Sequence, residues 1–333
     1  MNYIKKILKI IVAIALPFIN NIINNSNLEF TSMIVLFSTL LAINAINIPF
    51  MGCGIDFFSD YCHFFHTTQL NCDSLAVNFK HSTLHPWFVS GLIDAEGSFI
   101  VSIYQNKQRQ LGWAVYPRFT IELHSRDLPL LESLQKFFGC GTITNRKNRL
   151  IVAFSVQSIE DLIKIIIPHF EKFSLLSQKA ADYLLFKQIV ELMIKKEHLT
   201  IEGLQKIVNI RASMNLGLSE LQKAEFPNFN PVSRPMISTT EIQDPNWLSG
   251  FTSGEGSFLV KVQKSNTHKI GYVVKLCFTI TQHERDKKLL ELICKNLSVG
   301  TVNKHSTAAV VLVINKFSEN YEQIIPFFYK LSN

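Results

Sequence analysis

Two stretches of this chain carry the same alternation of apolar and polar positions. In the first, Phe99, Val101 and Ile103 alternate with Ser98, Ser102, Tyr104 and Asn106. In the second, Phe258, Val260 and Val262 alternate with Ser257, Lys261 and Gln263. A period of two marks strands with one buried and one open face. A second strand follows each: Phe119, Ile121 and Leu123 against Arg118, Thr120 and Glu122, then Phe278 and Ile280 against Thr279 and Thr281. An apolar segment precedes each first strand. Pro86-Trp87 opens one and Asp244-Pro245-Asn246 the other, as expected for a helix N-terminus. These helices should end at Gly97 and Gly256, where glycine suits a left-handed cap. Asp127 to Phe138 and Asp286 to Leu297 read as amphipathic helices, and turn residues at Gly139-Cys-Gly141 and Val299-Gly300 introduce a second hairpin.

The two stretches are copies of one unit. Phe88-Val-Ser-Gly-Leu-Ile-Asp-Ala-Glu-Gly-Ser-Phe99 aligns with Trp247-Leu-Ser-Gly-Phe-Thr-Ser-Gly-Glu-Gly-Ser-Phe258 at an offset of 159 residues. Phe119-Thr-Ile-x-x-His-Ser-Arg-Asp127 becomes Phe278-Thr-Ile-x-x-His-Glu-Arg-Asp286, and Gly141-Thr142 becomes Gly300-Thr301. With one residue deleted, Ile166-Ile-Pro-x-Phe170 becomes Ile324-Ile-Pro-x-Phe328. Chance similarity does not hold register this long. The fold class expected is α+β: a pseudo-symmetric tandem repeat, each copy a four-stranded antiparallel sheet with helices on its apolar face and its polar face open. The repeats are expected over 83–232 and 233–333.

Residues 1–82 differ in character. Ile7 to Ile23 and Met33 to Phe50 are apolar runs of about the length that crosses a bilayer, roughly 17 to 20 residues. Lys5, Lys6 and Lys9 precede the first run. A helical or disordered apolar extension is expected here. A membrane segment, a targeting leader and an upstream sequence fused in frame all fit it, and the change of composition near residue 85 favours the last.

Net charge is +7 over 333 residues, and Lys5, Lys6, Lys9 and Lys80 are balanced by Glu29, Asp56, Asp60 and Asp73 up to residue 85. The whole positive excess therefore sits in the repeats, which points them toward a polyanion. Among the six cysteines no Cys-x-x-Cys pair occurs, which argues against a zinc ribbon. Cys62, His63, His66 and Cys72 fit no metal-binding spacing, so free thiols are the expectation.

Each open sheet face is about the span of one duplex turn, with strands of about nine residues rising roughly 30 Å, and two-stranded ribbons fit the major groove. Gly91 and Ala95 lie on one helix face, as do Gly250 and Gly254; small residues at that spacing let two helices approach closely. Packed in parallel, the helices would bring Glu96 and Glu255 together at their C-terminal ends. Two carboxylates beside unpaired carbonyls repel unless a cation lies between them, and an all-oxygen, partly hydrated site suits Mg²⁺. Such a pair fits metal-assisted phosphodiester hydrolysis. Asp94 is expected to be a solvated or structural acid, because Ser253 stands at its repeat position.

Gly91-Leu-Ile-Asp-Ala-Glu-Gly97 and Gly250-Phe-Thr-Ser-Gly-Glu-Gly256 resemble the paired motifs of LAGLIDADG homing endonucleases, specifically the two-motif single-chain branch encoded in fungal mitochondrial introns. The resemblance covers about residues 85–333. It implies a pseudo-symmetric pair of αββαββα units cleaving double-stranded DNA as a monomer in mitochondria. It implies Mg²⁺ or Mn²⁺ held by Glu96 and Glu255, with the Ala95 and Gly254 carbonyls assisting. Gln282 matches a solvent-orienting residue, with Leu123 in its place in the first copy. Lys172, Lys179 and Lys330 are candidates for a basic residue at the site. DNA-reading positions would be Ser98, Ser102, Tyr104, Asn106 and Arg118 in one copy, and Lys261, Gln263, Lys264 and Lys275 in the other.

On the same scaffold a splicing factor that binds host intron RNA, or an inactive relative, is the alternative. Leu175 to Met214 in the first copy have no equivalent before Asn333, so the second copy is expected to be less stable, with activity reduced or lost.

Overall fold

The computed structural model describes residues 84–146, 149–269 and 271–331. The leader, membrane-segment and fused-sequence readings of residues 1–82, and the thiols of Cys53, Cys62 and Cys72, lie outside the described residues. By its contacts the chain divides into Met1–Lys80 and His81–Asn333; the second unit holds both repeats. No helix among the described residues is long and apolar enough to cross a membrane.

The first repeat runs α1 (Pro86–Glu96), β1 (Gly97–Gln105), β2 (Trp113–His124), α2 (Leu128–Phe138), β3 (Thr142–Arg146), β4 (Ile151–Val156) and α3 (Ile167–Lys172), the last entered through a π turn at Leu162–Ile166. Three more helices follow: α4 (Lys179–Ile194), α5 (Ile201–Ala212) and α6 (Glu220–Glu225). The second repeat runs α7 (Pro245–Glu255), β5 (Gly256–Lys264), β6 (Tyr272–His283), α8 (Lys287–Leu297), β7 (Thr301–Lys304), β8 (Ala309–Ile314) and α9 (Ile325–Leu331), with a π turn at Asn320–Ile324. The sheets are antiparallel, ordered β1-β2-β4-β3 and β5-β6-β8-β7. The architecture is the α+β tandem repeat expected.

Helix starts follow the sequence signals. Pro86 and Pro245 occupy the first turns, and Asp244 accepts a hydrogen bond from the Asn246 amide at 2.8 Å. The helix ends correct the expectation. Gly97 and Gly256 are extended, with φ of −74° and −78°, not left-handed. Glycine is needed there for space, because each strand leaves its helix without a loop. A Cβ on Gly97 would stand 2.4 Å from Ile93 Cγ2, and one on Gly256 would stand 2.3 Å from Thr252 Cγ2.

The His-x-Arg-Asp segments form single 3₁₀ turns, Ser125–Asp127 and Glu284–Asp286. In each, the histidine ring caps the turn by accepting the arginine amide, His124 from Arg126 and His283 from Arg285, both at 3.2 Å. Asp286 Oδ1 then accepts the Gln178 amide at 2.7 Å, tying the second repeat to the start of α4.

The two apolar sheet faces have different fates. Phe99, Phe119 and Phe154 of the first sheet are buried together with Phe170 of α3 and Phe186 of α4, the Phe99 and Phe186 ring centroids 5.4 Å apart. Side chains from the end of α5, the turn after it and α6 also cap the edge strand: Arg211 donates to the Val101 carbonyl, Asn215 to that of Phe99 and Gln222 to that of Ile103. In the second repeat Phe258, Val260 and Val262 stay exposed, Phe258 by 50% and Val262 by 57%. Its core sits beneath the other end of the sheet, around Trp247, Phe251, Phe278, Leu290 and Leu312. The linker before α7 lies on α4 and α5, where Arg234 makes a bidentate pair with buried Asp182 at 2.7 Å through each nitrogen.

Candidate active site

The site grows from the packing of α1 against α7. A Cβ on Gly91 would stand 1.9 Å from the Trp247 carbonyl oxygen, and one on Gly250 would stand 1.9 Å from that of Phe88. Only glycine permits this approach, and the two contacts are equivalent at the repeat offset, Gly91 to Gly250 and Phe88 to Trp247. One turn further, a Cβ on Gly254 would lie 2.6 Å from Ala95 Cβ, 2.8 Å from Glu96 Cγ and 3.1 Å from Glu96 Oε1. The small-residue faces meet as the sequence predicts, and the Glu96 carboxylate lies against the end of the opposing helix.

Glu96 is half-buried. Burial holds its carboxyl above the ordinary range, the charge of Glu255 raises it further, and Lys179 pulls it down. The two acids therefore feel each other electrostatically at the paired helix ends. Lys179 is the lysine that reaches them. Its Nζ donates to the carbonyls of Ile93 and Ala95, both at 3.0 Å. Burial pushes its ammonium below the ordinary value, against the opposing pull of Asp94, Glu255, Glu96 and Asp182. Lys172 is corrected: it is exposed, with Nζ 5.3 Å from the Phe173 ring centroid. Lys330 is exposed on α9. Among the described residues no lysine donates to the matching Thr252 and Gly254 carbonyls, and Thr252 Oγ1 is buried without a partner.

Asp94 is structural and not solvated. Its carboxylate accepts from the amides of Leu176 and Ser177, from Ser177 Oγ and from Trp247 Nε1. Burial raises its pKa in spite of those bonds. Ser253, its counterpart, is exposed and donates to the Ser249 carbonyl.

The donor set suits a hard divalent cation. It consists of two carboxylates, with Glu96 held above its ordinary range by burial and then by the charge of Glu255, and the carbonyls of two helix ends; the missing Cβ of Gly254 makes space for the Glu96 side chain. No group of three or more His, Cys, Asp or Glu side chains fit to hold a metal occurs among the described residues. Two carboxylates with remaining positions taken by solvent or substrate oxygens is the pattern Mg²⁺ accepts. Cys140, Cys277 and Cys294 are free thiols.

Strand parity sorts the proposed reading positions. Ser98, Ser102 and Tyr104 share the open face with Arg118, because Ser98 pairs Thr120, Ile100 pairs Arg118 and Ser102 pairs Tyr116. Lys261, Gln263 and Lys275 share the open face of the second sheet, Lys261 directly opposite Lys275. Two assignments are corrected. Asn106 lies beyond β1, in the hairpin turn, and its Oδ1 accepts the Gln108 amide at 3.0 Å. Lys264 has the parity of Phe258, Val260 and Val262, which puts it on the opposite face from Lys261. Gln282 is half-buried and follows Ile280, the partner of Gly256, by two residues. It thus stands beside the end of α7, and Leu123 stands at the same place in the first sheet. Tyr116 also lies on this open face, in parity with Ala114 and Arg118, a position that strand alternation alone supplies.

The LAGLIDADG endonuclease family profile matches residues 89–190 and 248–332. A protein of Neurospora crassa described as probable intron-encoded endonuclease 3 is 48% identical over 255 residues, covering 75% of this chain and 48% of that protein. Probable intron-encoded endonuclease 2 of the same organism is 38% identical, covering 74% and 55%. The chain thus spans about half the length of the curated relatives it matches. Among solved structures, I-SmaMI bound to uncleaved DNA target in the presence of calcium ions matches with a TM-score of 0.72 and 46% identity, covering 74% of this chain and 84% of that one. I-LtrWI bound to target DNA matches with a TM-score of 0.71 and 41% identity, covering 73% and 82%. The chain belongs to the LAGLIDADG endonuclease family, with both motifs in one polypeptide.

Proposed function

We propose that this chain is a site-specific endonuclease that cuts both strands of a duplex, working as a monomer in mitochondria. One observation carries the reading: α1 and α7 pack closely at Gly91, Gly250 and Gly254, and at their ends Glu96 feels the charge of Glu255. The DNA-bound relatives and the intron-encoded names of others support it. No observation favours the RNA-splicing alternative.

Glu96 and Glu255, assisted by the Ala95 and Gly254 carbonyls, would hold Mg²⁺ or Mn²⁺. A bound divalent ion supplies an acidified water and offsets charge on the phosphate. The chain's own groups do the rest. Lys179 places a cation at the Ala95 end of the site, where it can steady the negative charge of a phosphate oxygen or of a deprotonated water. Gln282 orients solvent at one end only, since Leu123 cannot. Ser98, Ser102, Tyr104 and Arg118 on one sheet, and Lys261, Gln263 and Lys275 on the other, face the grooves. Lysine and arginine there take guanine edges or phosphates, and glutamine takes adenine.

The test is cleavage of a randomised duplex library by the full chain with Mg²⁺. Recovery of one long cut site, lost in Glu96→Gln and in Glu255→Gln, is expected. Duplex binding that weakens steeply with added salt is expected alongside. No enrichment of any cut or bound duplex would overturn the reading.

A further inference from the structure

The open face of the first sheet carries two aromatic rings that no other described residue covers. Tyr104 on β1 and Tyr116 on β2 stack with centroids 5.1 Å apart and planes 8° from parallel. They are diagonal neighbours, because Tyr104 pairs Ala114 and Tyr116 pairs Ser102. The short side chains of Ala114 and Ser102 leave the rings standing above the sheet, 45% and 40% exposed. The hydroxyls are engaged at one side. That of Tyr116 is held below its ordinary pKa by the Tyr104 hydroxyl and then by Arg109. The unclaimed surface is therefore apolar ring, at the outer end of a face that nearer the motif helix carries Ser98, Ile100, Arg118, Thr120 and Glu122.

In the major groove the base pairs present hydrogen-bonding atoms and one apolar group, the C5 methyl of thymine. We propose that the Tyr104–Tyr116 pair reads thymine methyls in the outer part of one half-site, and that this confers a thymine requirement the other half lacks. The proposal rests on the duplex-binding reading above. The repeat offset puts Gln263 and Lys275 at these positions in the second sheet, and both seek polar edges or phosphates instead. Tyr104 is seven residues along β1 from Gly97, where the strand leaves the motif helix. At roughly 3.3 Å per residue and 3.4 Å per base step, the thymines lie about seven base pairs from the centre of the cut.

The measurement uses the full chain without divalent metal and the duplex recovered from the randomised library. Each thymine is replaced in turn by deoxyuracil, which removes the methyl and keeps the pairing. Wild type should bind about fourfold more weakly for each methyl lost within one outer half-site, the value of burying about one carbon. Tyr104→Ala/Tyr116→Ala should be indifferent to the change, while Tyr104→Phe/Tyr116→Phe keeps the sensitivity. Thermal unfolding of both variants checks that each remains folded. Equal affinity of wild type for thymine and uracil throughout that half overturns the proposal, as does unchanged sensitivity in the alanine variant. A loss in the phenylalanine variant with a reduced salt slope would assign the hydroxyls to phosphate and overturn it too. Failure to recover any bound duplex would instead remove the endonuclease reading itself.

Discussion

Trp247 Nε1 donates to Asp94 Oδ2 at 2.9 Å, a buried bond from the second motif helix to the first. The same carboxylate takes the Leu176 amide at 2.7 Å and the Ser177 hydroxyl at 2.6 Å. It therefore fastens three things together: α1, α7 and the segment that delivers Lys179. Removing it leaves several buried donors unmet. Asp94→Ala should cost about 3–5 kcal/mol, as breaking a buried charged network does. Asp94→Asn, which still accepts through one oxygen, should cost less. Chemical denaturation measures both, and an alanine variant within 1 kcal/mol of wild type would show the network is dispensable.

Glycine at the helix crossing is a second, steric demand. Gly91→Ala and Gly250→Ala each force a methyl onto a backbone carbonyl. Each should cost about 3 kcal/mol, the upper part of the overpacking range. Gly112 is the control: its φ is +71° and a Cβ there meets nothing within 4 Å. Gly112→Ala should cost only the left-handed backbone penalty, about 1–2 kcal/mol. Equal losses at all three sites would mean that close helix packing is not what selects Gly91 and Gly250.

These two features differ in how far they can be read from residues alone. The repeat offset and the period of two located α1, α7, β1 and β5 and picked out Glu96, Glu255 and the small-residue faces, because all of these follow from local spacing. The role of Asp94 was not legible, since its partners Leu176, Ser177 and Trp247 are 82 or more residues away. Parity applied strictly would have excluded Lys264. Asn106 escaped because the strand ends one residue earlier, and a turn then recruits its side chain. Lys179 stood level with Lys172 and Lys330 until the chain's path brought it under Ala95. The exposure of Phe258 and Val262 was not legible either, because their period of two matches that of buried Phe99 and Ile103.

The carboxylate pair should trade stability for function. Without metal, Glu96 carries a raised pKa, caused by burial first and Glu255 second. A raised carboxyl pKa means that ionising Glu96 opposes folding, so stability is lost as pH rises through the ordinary glutamate range to the folded value. Glu255→Gln removes the second cause. The Glu96 carboxyl should then titrate at lower pH, though still above the ordinary range, as followed by carbon NMR of metal-free protein. Glu96→Gln should raise the melting temperature at neutral pH while abolishing cleavage. A lower melting temperature in that variant would show that the acid is held by favourable contacts instead.

His169 sets the acid side of the stability curve. Its ring lies among Phe137, Phe138, Phe170 and Phe173, and Ser90 Oγ is 3.2 Å from Nε2. Burial pushes its pKa down to about 4, from 6.5. In the unfolded chain the ring protonates near the ordinary value, so between these two values the unfolded state holds more protons. Folding stability should then be whole above about pH 6.5 and fall as pH drops toward 4, by about 3 kcal/mol in all at 1.36 kcal/mol per unit. The carboxyls contribute their own slope below that window, so the test compares wild type with His169→Gln. The variant loses the ring packing and is less stable at neutral pH, but its stability between pH 6.5 and 4 should decline less steeply. Parallel curves for the two proteins would show that His169 titrates alike in both states and that its burial carries no pH dependence.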